Sequence, residues 1–527
     1  MTPEAPPNRL DCDVAIVGFG PVGAVLANLL GRDGLRVRAF ERDREVYKLP
    51  RAVHFDHEVM RIFQSFGLRD TDFPDTAPIL GYEFLSADRE ILFDFGLNQA
   101  ITEHGWKPDY MFHQPDLERV LRASAEARDC VSVHLEHEVT SLAEDQDHVA
   151  LEVRDLAAEG GSATRAVRAR FVVGCDGGSS FVRRGADLPL DDLEFDEPWL
   201  VVDATVERPP AELGLPRVPT QLCDPARPVT YVPVAGPYIR WEFMMRPEEA
   251  KPEARQEMLR PDRIEKLIAE WTDPGQVTVI RAAIYDFHAL VAGRWGTRRV
   301  FIAGDADHQT PPFLGQGLCA GIRDAANLSW KLVLAHRGVA PLELLASYQS
   351  ERDTHVREII GIAVGLGRII CTMDPEAAAE RDAKFLGRKE RTVEAPAFPI
   401  IGPGVRRDGD ASAGRPGLQS KVKRPGGPVC LLDDAFGPGF QLIVRGPGAP
   451  ELSEAARAVL ARVGGTLICI EPEFDVEGAY VAWLDTYGCD AVLVRPDHVI
   501  FGSGSGDDAA TTLLEELGHH LAPPESA

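Results

Sequence analysis

The chain has no Cys-x-x-Cys pair, which removes redox-dithiol and zinc-ribbon chemistry at the outset. Its nine cysteines, Cys12, Cys130, Cys175, Cys223, Cys319, Cys371, Cys430, Cys469 and Cys489, are odd in number and dispersed. Such a set reads as reduced thiols in a cytoplasmic protein. Long apolar runs are also missing: none reaches the ~18 residues that a membrane span needs. Positive charge is scarce, with 56 Lys and Arg against 82 Asp and Glu, a net charge of -26. Phosphate backbones and anionic bilayers repel such a chain, so nucleic acid and membrane are not expected partners. An anionic small substrate would need a local basic patch. Met1 to Arg9 has no basic stretch followed by an apolar core, so no signal peptide is expected. There is no internal repeat.

What is present suffices for several packed cores: 527 residues, 44% of them hydrophobic. This length suggests two to four domains. Asp11 to Val17 reads as a buried strand, Pro21 to Arg32 as an apolar helix and Leu35 to Phe40 as a second strand, a βαβ opening. Helical periodicity recurs over Asp56 to Phe66, with Asp56 as a possible cap, and over Leu117 to Ala127. From Trp199 to Asp286 the pattern changes to antiparallel strands between Pro-rich turns. A buried strand at Arg299 to Ala303 precedes two long helices, from Ala320 and from Leu342. The Gly- and Pro-rich stretch 395–428 reads as a linker, and an αβ unit follows. The expected division is 1–190 and 289–394 for one discontinuous α/β domain, 191–288 for a β-sheet domain, and 429–527 for the terminal unit.

Three constellations carry chemistry. Gly18-Phe19-Gly20-Pro21-Val22-Gly23 lies between strand and helix. Gly18 permits the tight turn, Gly20 lets the backbone approach a pyrophosphate, and Gly23 lets helix and strand pack closely. The helix N-terminus faces the phosphates. Glu41 ends the next strand and is placed to accept ribose hydroxyls, which favours FAD or NAD over NADP at this site. The second constellation is Asp176-Gly177-Gly178-Ser179-Ser180-Phe181-Val182-Arg183, where Asp176 or Ser180 can equally be a plain helix cap. The third is Gly304-Asp305-Ala306-Asp307-His308, followed by Pro312-Phe313-Leu314-Gly315-Gln316-Gly317 at the start of a helix. Asp305 can hold a ribityl hydroxyl or merely cap a turn, and the loop can offer N–H groups to an anion.

In order and spacing, these three segments resemble the class A flavoprotein monooxygenases of the para-hydroxybenzoate and phenol hydroxylase type. The likeness covers about residues 11 to 360. Pro50-Arg51-Ala52 resembles a segment of that family whose arginine, here Arg51, approaches FAD. Gln114 resembles a cofactor-contacting glutamine, and Arg42 follows the ribose-binding Glu41. Arg323-Asp324-Ala325 with Asn327 and Trp330, and Tyr348 with Glu351 and Arg352, match helices that pack beneath the flavin loop. Within the family, Cys223 to Pro228 and Arg240 to Met244 look like the substrate-domain segments of 3-(3-hydroxyphenyl)propionate hydroxylases. The terminal unit resembles the thioredoxin-like domain of the phenol hydroxylase branch, without its CxxC, which suggests a structural or oligomerisation role. Asp307 and Pro312-Phe313-Leu314 depart from the pattern.

The resemblance implies an α/β fold: a Rossmann-like FAD-binding domain, a β-sheet substrate domain and a thioredoxin-like terminal domain. It implies bound FAD, with NADH or NADPH as transient co-substrate, and hydroxylation of a phenolic ring by O2 through a C4a-hydroperoxyflavin. Alternatives are a polyketide or antibiotic hydroxylase of the same family, or an FAD oxidase or dehydrogenase. The expected cofactor residues are Gly18, Gly20, Gly23, Glu41, Arg42, Arg51, Gln114, Asp176, Arg183, Asp305, Pro312, Gly315, Gln316 and Gly317. A general base that turns phenol into phenolate adds ~10²–10⁴-fold, and His54, Asp56 and His308 are the candidates. Arg227, Arg240 and Phe313 are the candidate substrate contacts, the arginines for a carboxylate. No metal is expected, and a homodimer is an open option.

Overall fold

The computed structural model describes residues 10–47, 51–96, 100–158, 163–394 and 396–523. Met1 to Arg9, Pro50 of the expected Pro-Arg-Ala segment and Ala395 lie outside the described residues. The opening strand, Cys12–Val17, is buried along its whole length. It therefore sits inside a parallel sheet covered on both faces. Val37–Glu41 pairs with it on one side and Ala163–Gly174 on the other, both parallel. Val131–Leu135 extends the sheet beyond Val37–Glu41, and Val300–Ile302 pairs with the end of Ala163–Gly174. Pro21–Arg32 follows the first strand, with proline in the first turn where its missing N–H costs nothing. Asn28 clamps that helix to Gln114–Glu126 by donating to the Leu121 carbonyl. Open α/β sheets bind ligands at the carboxyl ends of their parallel strands. Here those ends carry Gly18, Glu41, Cys175 and Ala303.

The second sheet has nine strands. Its backbone is the antiparallel pair Leu190–Val206 and Val277–Ala292, followed by Tyr238–Met244, Val229–Pro233, Thr220–Leu222 and Tyr82–Leu85. Side chains alternate between the two faces. Tyr231, Trp241 and Phe243 point to one face and pack with Ile264, Leu267 and Trp271 from the helical segment beneath. Thr230, Arg240 and Glu242 occupy the opposite face, which looks back at the first domain.

Gln441–Arg445, Thr466–Ile470, Ala491–Val494 and Ile500–Gly504 form the four-stranded terminal sheet. The first two strands are parallel and the others antiparallel, the order of a thioredoxin-type unit. Helices Glu454–Arg462, Ala479–Tyr487 and Ala509–His520 accompany it. Trp330 and Leu334, on the long helix Gly317–His336, share one apolar core with Phe440, Leu442 and Leu513 of this unit. Buried charges reinforce the joint. Glu351 accepts from Arg495 at 2.7 Å and from Lys331 at 2.9 Å, all three fully buried. Arg61 pairs with Asp433 at 2.7 Å.

The expected linker is not one. Ile401, Val405, Ala413, Leu418 and Val422 are buried, and the Val405 N–H donates to Glu351. Gly414 and Gly417 donate backbone N–H groups to Ile500 and His498, and Gln419 donates one to Glu103. Glycine and proline shape the segment as a strap, and apolar residues spaced too irregularly for any periodicity pin it down.

Removing the Glu351 charge leaves buried Lys331 without its counter-ion and Arg495 with Asp497 alone, a loss of about 3–5 kcal/mol. Glu351→Gln should therefore lower the unfolding free energy measured by denaturant titration by that amount, while replacement of exposed Glu454 should leave it within ~0.5 kcal/mol of wild type.

Candidate active site

One continuous cavity of about 1080 Å³ runs from the first glycine turn to the polar face of the second sheet. At its near end Gly18 has φ +91, and a Cβ there would lie 2.4 Å from the Cys175 carbonyl oxygen. A Cβ on Gly23 would strike the Gly18 oxygen at 2.1 Å, so turn, strand and helix are in backbone contact. Gly20, by contrast, faces open space. Glu41 accepts the Phe19 N–H at 2.8 Å and the Asp43 N–H at 3.0 Å, and still lines the cavity beside Arg42.

The second helix end comes from the late loop. Pro312, Gly315, Gln316 and Gly317 line the cavity where Gly317–His336 begins. Two helix N-termini therefore look into one space, favouring negative charge there. Asp305 is exposed on the Gly304–Ala306 turn and lines the same space. The turn is held from behind by Asp324, which accepts from Gly304 N–H, His308 and Arg352 at 3.2, 2.7 and 2.9 Å. Gln114 accepts from the N–H groups of Arg51 and Ala52 at 2.7 and 2.8 Å. It thereby pins the segment that brings Arg51 to the wall.

Several expected roles change. Arg183 donates to the carbonyls of Ala306 and Gly178, both at 2.9 Å, and so staples the second constellation to the third from outside the cavity. Its neighbour Arg184 lines the cavity instead. Asp176 lines the wall and also caps the short helix Phe181–Gly185, accepting from Phe181 and Val182. Asp56 caps its helix at Val59 and is ion-paired with Arg323 at 2.6 Å, fully buried, so its lone pairs are committed. That cation and neighbouring histidines outweigh burial and hold its pKa far below the usual range. His308 is buried against Asp324, away from the cavity wall, and is not placed to act as a base there. Arg227 is locked to Glu249 by two hydrogen bonds of 2.9 and 2.7 Å and does not reach the cavity. Arg240 does line it, but its guanidinium is held by Asp203 at 2.7 Å and by the Arg51 carbonyl at 2.7 Å. Phe313 is nearly enclosed by Phe195, Trp199 and Phe287 at the cavity edge. Asp307 is fully buried, and burial with Asp324 nearby raises its pKa well above the ordinary value.

His54 does line the cavity. Its Nδ1 lies 3.1 Å from the Gly315 carbonyl and its Nε2 2.7 Å from Asp109. A neutral imidazole has one N–H, so satisfying both acceptors requires the imidazolium. Burial works to lower its pKa, but Asp109, helped by Asp56 and Gly315, leaves it raised above the ordinary 6.5. Both ring nitrogens of His54 are thus engaged by oxygens of the protein rather than left open to a substrate proton.

Sequence reasoning missed the far wall. Tyr82, Phe95, Thr230, Val232 and Glu242 line it. Thr230 donates to Gln221 at 2.6 Å, Gln221 donates to the Tyr82 oxygen at 2.5 Å, and Tyr82 donates to the Phe313 carbonyl at 3.1 Å. Alternation alone would have put residues 230, 232, 240 and 242 on one face, without saying which face looks inward. Among the described residues, two clusters bring possible metal-ligating atoms within 4.8 Å of one another. In His57, Glu58 and His104 the imidazoles stack nearly parallel, 4.6 Å apart, so their lone pairs do not converge. In Asp307, His308 and Asp324 the last carboxylate is already spent.

The glycine turn, the ribose-facing Glu41 and two converging helix ends define a dinucleotide-binding oxidoreductase site. The chain belongs to the FAD-binding-domain family, whose sequence pattern matches residues 11–363, and residues 414–519 match the HcaD C-terminal domain. It is 36% identical to a probable NADH-specific resorcinol 4-hydroxylase of Rhodococcus jostii (strain RHA1), over 98% of this chain and 97% of that protein. It is 33% identical to a 3-(3-hydroxy-phenyl)propionate/3-hydroxycinnamic acid hydroxylase of Burkholderia vietnamiensis (strain G4 / LMG 22486), over 94% of each. The solved structure of aklavinone-11 hydroxylase with FAD and aklavinone shares the fold, with a TM-score of 0.79 at 23% identity, over 98% of this chain and 99% of that one. The protein is an FAD-dependent monooxygenase. FAD fits the residues present: open space at Gly20 and Gly317, the exposed Asp305, and N–H groups at both helix ends. When bound, it supplies hydride acceptance from a nicotinamide and activation of O2.

Two outcomes test this site. Asp305→Ala should weaken FAD retention by about ten- to a hundredfold, the worth of a hydrogen bond to a charged group, read from visible flavin absorbance after gel filtration. The second concerns His54. A raised folded pKa gives stability that is complete below the unfolded value of 6.5 and is lost as pH rises through the folded value. The stability gap between wild type and His54→Gln should then be widest below pH 6.5 and shrink in alkali. A gap that grows with pH would contradict a cationic His54.

Proposed function

We propose that this enzyme hydroxylates a small, uncharged phenol of the resorcinol type, using NADH and O2. The observation that carries this reading is the charge on the far wall of the cavity. Among the described residues, the sheet face that lines it offers one cation, Arg240, and one carboxylate, Glu242. Arg240 is neutralised by Asp203 and is already hydrogen-bonded to the Arg51 carbonyl. Arg51 itself points towards Gly177, its Nη1 4.0 Å from where a Cβ on that glycine would lie. On this face a carboxylate-bearing ring would meet Glu242, and the Arg240 guanidinium beside it is already committed to Asp203 and the Arg51 carbonyl. Burying an unpaired charge costs several kcal/mol. A neutral phenol has no such cost, and its hydroxyl suits a carboxylate acceptor. The Rhodococcus relative, described as a resorcinol hydroxylase specific for NADH, supports the same reading.

The chain's own residues provide three functions here. The glycine turn and the late loop fix the cofactor end. The chain of hydrogen bonds from Thr230 through Gln221 and Tyr82 to Phe313 ties the substrate sheet to the flavin loop. Apolar Phe95, Val232 and Phe313 exclude water, which protects the reactive oxygen species from decay to H2O2.

A panel of resorcinol, phenol and 3-(3-hydroxyphenyl)propionate should test it, with hydroxylated product and H2O2 measured together under NADH and under NADPH. Resorcinol with NADH should give the highest kcat/KM and the least H2O2. A preference for the phenylpropionate by tenfold or more would overturn the assignment.

A further inference from the structure

We infer that Glu242 is the proton acceptor for the substrate hydroxyl. This rests on reading the cavity as that of a phenol hydroxylase and adds the residue that makes the ring reactive. Glu242 lies on Tyr238–Met244, in the interior of the nine-stranded sheet, directly across from Thr230 and Val201. The residue is 6% exposed, and it lines the cavity wall.

The other candidates on that wall are spent. His54 has both ring nitrogens within hydrogen-bond distance of protein oxygens, those of Gly315 and Asp109. Asp109 is paired with His54. Asp56 is shared between Val59 N–H and Arg323. The Thr230 and Tyr82 hydroxyls each donate to an acceptor of the protein, Gln221 and the Phe313 carbonyl. Glu242 has the Arg240 guanidinium only at 3.7 Å, and Arg240 makes its close bonds elsewhere. It is the carboxylate on this sheet face whose basicity is not consumed by a close partner.

Charged and titratable groups come from each neighbouring strand. Arg240 shares its strand, Asp203 comes from Leu190–Val206, and Tyr82 comes from Tyr82–Leu85. Arg281, on Val277–Ala292, faces Asp203 at 3.7 Å. Burial, only partly offset by Arg240 and reinforced by Asp203, raises the Glu242 pKa to about 7. A base near the working pH is both ionised and strong enough to accept a proton.

The step is a simple transfer. The phenol O–H bond breaks and its proton forms an O–H bond on a Glu242 carboxylate oxygen. The electron pair stays on the phenolate oxygen and enriches the ring carbons ortho and para to it. When the hydroxylated ring becomes aromatic again, its C–H proton passes to solvent and protonated Glu242 returns the first proton to the ring oxygen, which regenerates the carboxylate.

The test compares Glu242→Gln and Glu242→Asp with wild type on two substrates. One is resorcinol, whose hydroxyl is un-ionised at neutral pH, as a phenol of pKa ~10 is. The other is a nitro-substituted resorcinol already ionised at the assay pH. Flavin content and melting temperature establish that each variant is folded. Glu242→Gln should lose ~10²-fold or more in kcat/KM on resorcinol. It should lose less than about tenfold on the ionised substrate, which needs no base. Wild type should show a pH inflection near 7, and Glu242→Asp should shift it and retain part of the resorcinol rate. Equal losses on both substrates, or an unchanged pH profile in Glu242→Gln, would reduce Glu242 to a positioning residue and overturn the inference. A wild type inert towards every phenol would overturn the phenol hydroxylase reading as well.

Discussion

The site depends on one buried carboxylate. Asp324, near the start of the long helix Gly317–His336, receives hydrogen bonds from the Gly304 N–H, from His308 and from Arg352. Those donors belong to the late loop and to the following helix, Ser347–Ile370. The charge is fully buried, and His308 and Arg352 outweigh the burial that would raise its pKa. A buried charge tolerates little displacement of its partners. Asp324 therefore fixes where Asp305 stands relative to the first glycine turn. Gly321 adds the steric counterpart, since a Cβ there would lie 2.9 Å from the Gly304 Cα. The two helix ends that face the cavity are thus held in register by one charge and one close approach.

Electrostatics also sort the arginines. An acidic chain can spend its few cations on structure or on ligands. Arg183 staples two loops, Arg227 is locked to Glu249, and Arg240 to Asp203. Arg61 and Arg495 join the terminal unit to the rest. Arg42, Arg184 and Arg415 still line the cavity. The sheet face of that cavity carries one carboxylate, Glu242, and one cation, Arg240, that is already paired.

The terminal unit has the strand order of a thioredoxin fold but no dithiol. Its connection to the first domain runs through a shared apolar core and through Glu351, whose carboxylate serves Arg495, Lys331, Asn327 and the Val405 N–H together. The strap 396–428 brings Phe398, Arg415 and Pro416 to the cavity wall. The strap is in turn bonded to the terminal unit through Gly414 and Gly417, whose N–H groups donate to Ile500 and His498.

The cofactor end was legible in the sequence because it depends on local backbone geometry. Gly18, Gly20 and Gly23 act within one strand–turn–helix, and Asp305 follows directly from its strand, so short-range spacing carries the information. Roles that depend on which partner arrives from far along the chain were not legible. His54 reads as a base until Asp109 and the Gly315 carbonyl occupy both its nitrogens, and Arg227 reads as a ligand for a carboxylate until Glu249 takes it. Glu242 alternates with apolar residues like any strand residue. Only the packing of Trp241 and Phe243 on the helices beneath turns it towards the cavity. Local sequence determined the cofactor turns, because backbone sterics act over a few residues. Tertiary structure decided the proton chemistry, because the basicity of a side chain is set by burial and by charges that the chain brings together only on folding.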